Sequence, residues 1–223
     1  QYVFSDVGLP EKVVTRGRQI LARPMVLTGT VADRPVVFSP VGRLQVVSAA
    51  PGMVRLRGYA RSGEVRLESH VEIDYDGMMK FRLKIAPDRE VVFRDLRLEI
   101  PLKNEHALLY HACGESIRLT NRAGYVPKGS GVVWGSHEVP NFLVRGTFIP
   151  YFWLGDYDRG FCWMADNDRG WICDDAKDAV EFVRAGATLM AQVNLISRQR
   201  SVTEPREIVF ALMAGPARPE YEG

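Results

Sequence analysis

Charge of one sign is not in excess. Lys and Arg number 29 against 27 Asp and Glu, a formal net charge of +2 in 223 residues. That balance carries no electrostatic footprint for nucleic acid as a partner. No run of about 18 apolar residues occurs, which excludes a helical membrane span, so no membrane partner is read from the chain. Gln1 to Pro10 lacks a basic start followed by an apolar stretch. No signal peptide is therefore read there, and the compartment stays open, an extracellular or periplasmic one included. Cysteine is scarce: Cys113, Cys162 and Cys173 make an odd, low count that is no disulfide framework. Cys162 and Cys173 flank one turn and could approach each other, but buried thiols acting as small hydrophobes are the simpler assignment. A Gly-rich phosphate loop leading into a helix is missing, as is any solenoid repeat. His106, His111 and Cys113 lack the paired spacing of a zinc motif, so neither metal nor cofactor is expected.

What the chain does have is alternation. Val54 to Arg57, Val65 to Tyr75, Met79 to Ile85 and Val92 to Leu102 place apolar residues at every second position, with Arg, Lys and Glu between them. A period of two belongs to strands with one buried and one wet face. Four such strands in sequence predict a meander with a charged outer face, and the mixed signs make that face a solvated surface before an anion site. Asn104 to Ala112 reads as a short helix with Asn104 as N-cap, a strand remaining the alternative. Asn121 to Gly135 reads as a long loop holding Trp134, the best candidate for an exposed ligand or domain contact. Ala179 to Arg184 fits a strand or a short helix. Thr188 to Ser197 and Ile208 to Met213 are further strands, and Ala214 to Pro219 is a short Pro-rich spacer.

The densest stretch is Phe148 to Trp171. It carries Trp153, Trp163 and Trp171, and the turn Asp-Arg-Gly occurs in it twice, at 158–160 and 168–170. Turn formers between apolar runs predict three strands joined by two tight connections. Gly77, Gly160 and Gly170 are expected at positive φ, where a Cβ is costly. Trp153 and Trp163 are expected to fill the core, and Tyr157, at a turn, to be exposed.

Three chemistries can be weighed from these residues. A glycosidase needs two carboxyl groups about 5 to 9.5 Å apart across the scissile bond. Asp156, Asp158, Asp166, Asp168, Asp174 and Asp175 could supply a pair, yet each sits in or beside a turn, where Asp serves the backbone. A mutarotase-type acid and base could come from Glu105, His106 and His111, though their spacing does not demand it. Sugar stacking could use Tyr151, Trp153, Tyr157, Trp163 or Trp171, because a ring offers a flat apolar surface with a polar handle. No catalytic residue is assigned.

Several segments resemble a known family. They are Tyr2-Val3-Phe4 with Gly8-Leu9-Pro10 and Ile20 to Pro24, then Asp74 to Met78 before a strand and Leu98 to Leu102. The most specific are Trp153-Leu154-Gly155-Asp156 with Arg159-Gly160, and Trp163 to Trp171. Together they resemble the N-terminal β-sandwich module of bacterial glycoside-hydrolase-like proteins, related in layout to the family-123 β-N-acetylgalactosaminidases. The resemblance implies a following (β/α)8 barrel that carries catalysis, and the chain stops about where that barrel would begin. The carboxylate at Asp166 stands where Glu is as common.

The expectation is thus one all-β domain over residues 1–223, a large antiparallel β-sandwich of the supersandwich, galactose-mutarotase-like kind. Its function would be that of a non-catalytic module supporting the carbohydrate site of a downstream catalytic domain, with weak or indirect carbohydrate contact of its own. An autonomous carbohydrate-binding module and a mutarotase-like sugar enzyme are the alternatives. Trp134, Asp156, Tyr157, Asp158 and Arg159 are the expected contact residues.

Overall fold

The structure is a computed structural model and describes residues 1–114, 120–140 and 146–217. The alternating segments become antiparallel strands. Among the described residues the only helical pieces are two short 3-10 turns, Asn104–His106 and Ser136–Glu138.

Strands β1 (Tyr2–Phe4), β2 (Pro10–Thr15) and β3 (Arg18–Gln19) form a small sheet. It buries Leu9, Val13 and Ile20, and the Lys103 amide donates to the Ile20 carbonyl at 2.9 Å. A hairpin follows, β4 (Val26–Val31) with β5 (Arg34–Val37). β6 (Ser39–Pro40) and β7 (Gln45–Ala50) both pair with β8 (Met53–Ser62). β9 (Val65–Asp74) and β10 (Met79–Pro87) continue that sheet, with Leu56, Val71 and Phe81 in register on its inner face. Then come β11 (Val91–Lys103), β12 (Leu109–Cys113), β13 (Asn121–Tyr125), β14 (Gly131–Gly135), β15 (Tyr151–Gly155) and β16 (Gly160–Met164). The last four are β17 (Val180–Ala185), β18 (Thr188–Ile196), β19 (Arg200–Val202) and β20 (Arg206–Gly215).

Ten strands make one sheet, ordered β13-β12-β15-β16-β20-β10-β9-β8-β6 with β7 also on β8. Seven make the other, ordered β14-β17-β18-β11-β4-β5 with β19 on β11. Phe81, Phe152, Phe161, Trp163 and Phe210 from the large sheet face Phe93, Leu98, Ile100, Phe182 and Val193 from the smaller one, all buried. Phe152 and Phe182 meet across the gap with ring centroids 5.5 Å apart. This is the large antiparallel sandwich that the alternation implies.

The structure corrects the expected connections. Only β8, β9 and β10 form the meander; the fourth alternating segment, β11, crosses to the smaller sheet between β4 and β18. Alternation reports that a strand has a buried face, not which sheet owns it. The three-strand unit around Trp163 is one hairpin, β15–β16. After the second turn Ile172 bridges Ile196 in the smaller sheet, so the chain has changed layers. Asn104 to Ala112 is a 3-10 turn followed by a strand. Asn104 does not cap it; its side chain donates to the Gly186 carbonyl at 2.7 Å. Strand wins because β12 has partners on both edges, β13 and β15, whose ladders outweigh one amphipathic turn. The long loop contains β13 and β14. Ala179 to Arg184 resolves as β17. The expected spacer begins inside β20, and its Arg218 and Pro219 lie outside the described residues. Cys113, Cys162 and Cys173 are free thiols.

Gly77 and Gly170 do have positive φ, +94° and +88°, but Gly160 does not. A Cβ on Gly170 would lie 2.2 Å from the Glu207 carbonyl oxygen, so the second turn is pressed against β20. Gly186 has φ +57° with nothing within 4 Å of its Cβ position. Gly186→Ala should therefore cost about 1 kcal/mol from backbone conformation alone, and Gly170→Ala about 2 kcal/mol or more, because rigid backbone must also move. Urea unfolding of the two variants measures the difference; equal losses would count against this packing.

Candidate functional site

The β15–β16 turn is built around Asp156. Its Oδ1 accepts from the Asp158 and Arg159 amides at 2.8 and 2.9 Å, the side-chain turn that makes Asp common at such positions. His106 Nδ1 lies 2.8 Å from Asp156 Oδ2, and Arg159 Nε lies 3.4 Å from the same oxygen. Burial pushes the Asp156 carboxyl up. The Asp158 amide, the His106 ring, and the Arg159 amide and guanidinium together outweigh it and hold the pKa below the ordinary value. Glu105 stands 3.5 Å from His106 Nε2. Asp156 and Arg159 are thus largely buried parts of the turn, with side chains 12% exposed. Asp158 and Tyr157 point outward, Asp158 3.7 Å from Arg16. Tyr157 is 75% exposed, as its turn position implied, and its hydroxyl is 2.7 Å from that of Tyr125.

Trp134 is not on this surface. It is 1% exposed and stacks on Phe182 with centroids 4.4 Å apart, so the expectation of an exposed ring is corrected. The register of β14 slips between Val132 and Trp134, a bulge that leaves Val132 outside and turns Trp134 into the core. The partner that sequence reasoning missed is Tyr125, on the edge strand β13 inside the supposed loop. Nothing local to it signals the pairing with Tyr157.

A second feature adjoins the turn on the outer face of the large sheet. Gly155, Gly160 and Gly215 sit directly opposite one another on β15, β16 and β20. The Trp153 indole lies over the first two: a Cβ would come 2.2 Å from it at Gly155 and 2.1 Å at Gly160. Gly160 is therefore glycine to admit a ring, not to take a positive φ. Trp153 is half-buried on the outer face and not in the core, because Phe152 and Leu154 own the inward positions of β15. Trp163, of the opposite parity on β16, is the core residue expected. Glycines flanking the turn at 155 and 160 were the signal for Trp153. Tyr151 lies one step along the same face, with the His111 ring edge-on at 5.7 Å, and Cys113 Sγ is 3.4 Å from His111 Nε2. Burial first, then the nearby Cys162 and Cys113, pushes the Tyr151 phenol up to about 12, and burial pushes the Cys162 thiol up to about 11. At neutral pH both are uncharged, so this half of the face is an aromatic and thiol surface.

The groupings weigh against the imagined acid and base. His106 belongs to Asp156 and Glu105, whereas His111 belongs to Cys113 and Tyr151. Asp174 Oδ1, like Asp156 Oδ1, accepts a turn amide, here from Ala176 at 3.2 Å. Because the native state favours ionised Asp156, its contribution is fully present above the unfolded carboxyl pKa of about 4 and is lost as pH falls through the lowered native value. Asp156→Ala should melt well below the parent at pH 7, and the gap should close as pH drops below about 4. Asp156→Asn, which keeps the turn oxygen, should fall between. Thermal melts from pH 2 to 7 test this, and a gap independent of pH would refute it.

A family model described as "Glycoside hydrolase 123, third domain" matches residues 2–169, more than half of the chain. The description counts the module third where the resemblance implied the N-terminal position; the family is the same. No curated protein matches by sequence. Among solved structures, the Slr1438 protein from Synechocystis sp. PCC 6803 is similar in fold, with TM-score 0.53 at 9% identity over 96% of this chain and 90% of that one. A candidate aldose 1-epimerase from Escherichia coli K12 gives TM-score 0.49 at 9% identity, over 94% of this chain and 93% of that one.

Proposed function

Since the chain belongs to the third-domain family of glycoside hydrolase 123, we propose that it is a non-catalytic sandwich module that shapes the carbohydrate site of a catalytic domain. The observation that carries this reading is Trp153. An indole seated on two glycines, with its ring partly open, offers the apolar C–H face of a pyranose a flat partner without a moving side chain. The turn residues serve docking. Tyr157 and Asp158, with Tyr125, form an exposed polar and aromatic edge, and rings of this kind are enriched where domains meet. The buried Asp156, Arg159 and His106 hold that edge in place, and Trp134 anchors the chain that follows β13 from inside. The half-buried ring of Trp153 on the outer face also favours a second reading, a carbohydrate-binding module that works alone.

The isolated chain should not hydrolyse chromogenic glycosides. Sugar binding on a glycan array should be weak and should fall up to about tenfold in Trp153→Ala, the worth of one aromatic contact. Trp153→Ala should melt below the parent, because the ring covers Gly155 and Gly160, but by less than Trp163→Ala, which should lose about 3–5 kcal/mol as a core truncation. Tyr157→Ala should weaken docking to a catalytic domain supplied in trans without altering the melt. Turnover of a glycoside by the isolated chain would overturn the non-catalytic reading, and unchanged glycan binding in Trp153→Ala would remove the platform.

A further inference from the structure

A cleft of about 650 Å3 opens beside the outer face of the large sheet, between the second Asp-Arg-Gly turn and the segment from Arg200 to Glu207. Arg82, Arg169, Arg200 and Arg206 line it together with Asp166 and Glu204. Arg82 is committed, with Nη1 2.7 Å from Glu207 Oε1. Among the described residues none of the other three has a carboxylate within ion-pair distance. Arg206 Nη1 donates to the Gly170 carbonyl at 3.1 Å, which fixes its head, and its Nε is buried without a partner. Burial first and the charge of Arg200 second hold the Arg206 pKa below the ordinary value. A guanidinium is thus partly desolvated beside another and lacks a counter-charge, an arrangement that an anion relieves.

The acidic residues narrow the ligand. Asp166 and Glu204 are exposed and, among the described residues, form no ion pair with the three arginines. They repel a dianion about twice as strongly as a monoanion, and they accept hydrogen bonds from hydroxyl groups. A planar carboxylate matches the guanidinium fork. We infer that this cleft binds a uronic acid unit, its carboxylate held by Arg169, Arg200 and Arg206 and its hydroxyls donating to Asp166 and Glu204. The inference takes its ligand class from the carbohydrate reading above, but its site is separate from the Trp153 platform.

Isothermal titration of the whole chain with glucuronate, glucose and inorganic sulfate tests it. Glucuronate should bind, more weakly as salt is raised, and glucose should not. Arg200→Met and Arg206→Met should each lower the glucuronate affinity about tenfold or more, and Trp153→Ala should leave it unchanged. Arg200 is exposed, so its variant keeps the test decisive if Arg206→Met fails to fold. Absent binding of glucuronate, equal binding of glucose, sulfate binding as tight as glucuronate, or unchanged affinity in Arg200→Met would each overturn the assignment. Loss in Trp153→Ala would also overturn it, by moving glucuronate to the platform.

Discussion

The sandwich is held by one continuous path of aromatic contacts. Tyr110 leans on Trp134, Trp134 stacks on Phe182, Phe182 meets Phe152 across the gap, and Phe152 stacks on Trp163. Trp163 then touches Trp171, which packs edge-on against Phe148. The path joins both sheets and the segment that crosses between them. It has a cost: the indole N–H groups of Trp163 and Trp171 are buried without a hydrogen-bond partner. An unpaired buried donor costs about 1–3 kcal/mol. Removing 150–250 Å2 of a ring from water contributes about 4–6 kcal/mol at the usual coefficient. Burial wins at each site, so the sequence can keep tryptophan there without a partner for its nitrogen.

Much of this was legible and some of it could not be. Periodicity found the strands from Met53 to Leu102 and the sandwich they imply, because a half-buried strand must alternate. It could not find that β11 leaves the meander, since the choice of sheet depends on contacts far along the chain. Trp153 and Trp163 look alike in sequence, yet one is outside and the other inside. Their parity follows from which neighbours fill the gap, Phe152 and Leu154 on one strand and Trp163 itself on the other. Trp134 was misplaced because Asn121 to Gly135 reads as a loop, whereas the ring sits on β14 and a bulge there turns it into the core. Asp156 was found at its turn, but its partner His106 is 50 residues away and comes to it only through the pairing of β12 with β15.

The three aligned glycines show how packing and the candidate function meet. A row of glycines across a sheet weakens it, since each lacks a side chain to pack and loses more backbone entropy on folding. Here the Trp153 ring takes the place of two missing side chains, so the sheet surface is restored by a group that also remains partly exposed. The ring is held by backbone on one face, which limits its motion. The Asp156 turn holds the strand ends that carry it. Stability of the turn and readiness of the surface therefore rest on the same few residues.

The outer face of the large sheet is divided. On β8, β9, β10 and β20 the cross-strand pairs Arg55–Glu72, Arg57–Glu68 and Arg82–Glu207 neutralise one another. Exposed pairs of this kind add little stability, about 0–1 kcal/mol each. Their effect is to leave a wet surface whose charges largely offset one another. On β12, β15 and β16 the same face carries Trp153, Tyr151, Cys162 and Met164, with no charged side chain at the outward positions. At the far end of β20 the neutrality fails, where Arg169, Arg200 and Arg206 have no carboxylate partner among the described residues beside a cleft. A ligand gains most where the protein has not already satisfied itself. By that criterion the proposed recognition falls to the aromatic flank and the arginine end of the sheet, and not to its charged centre.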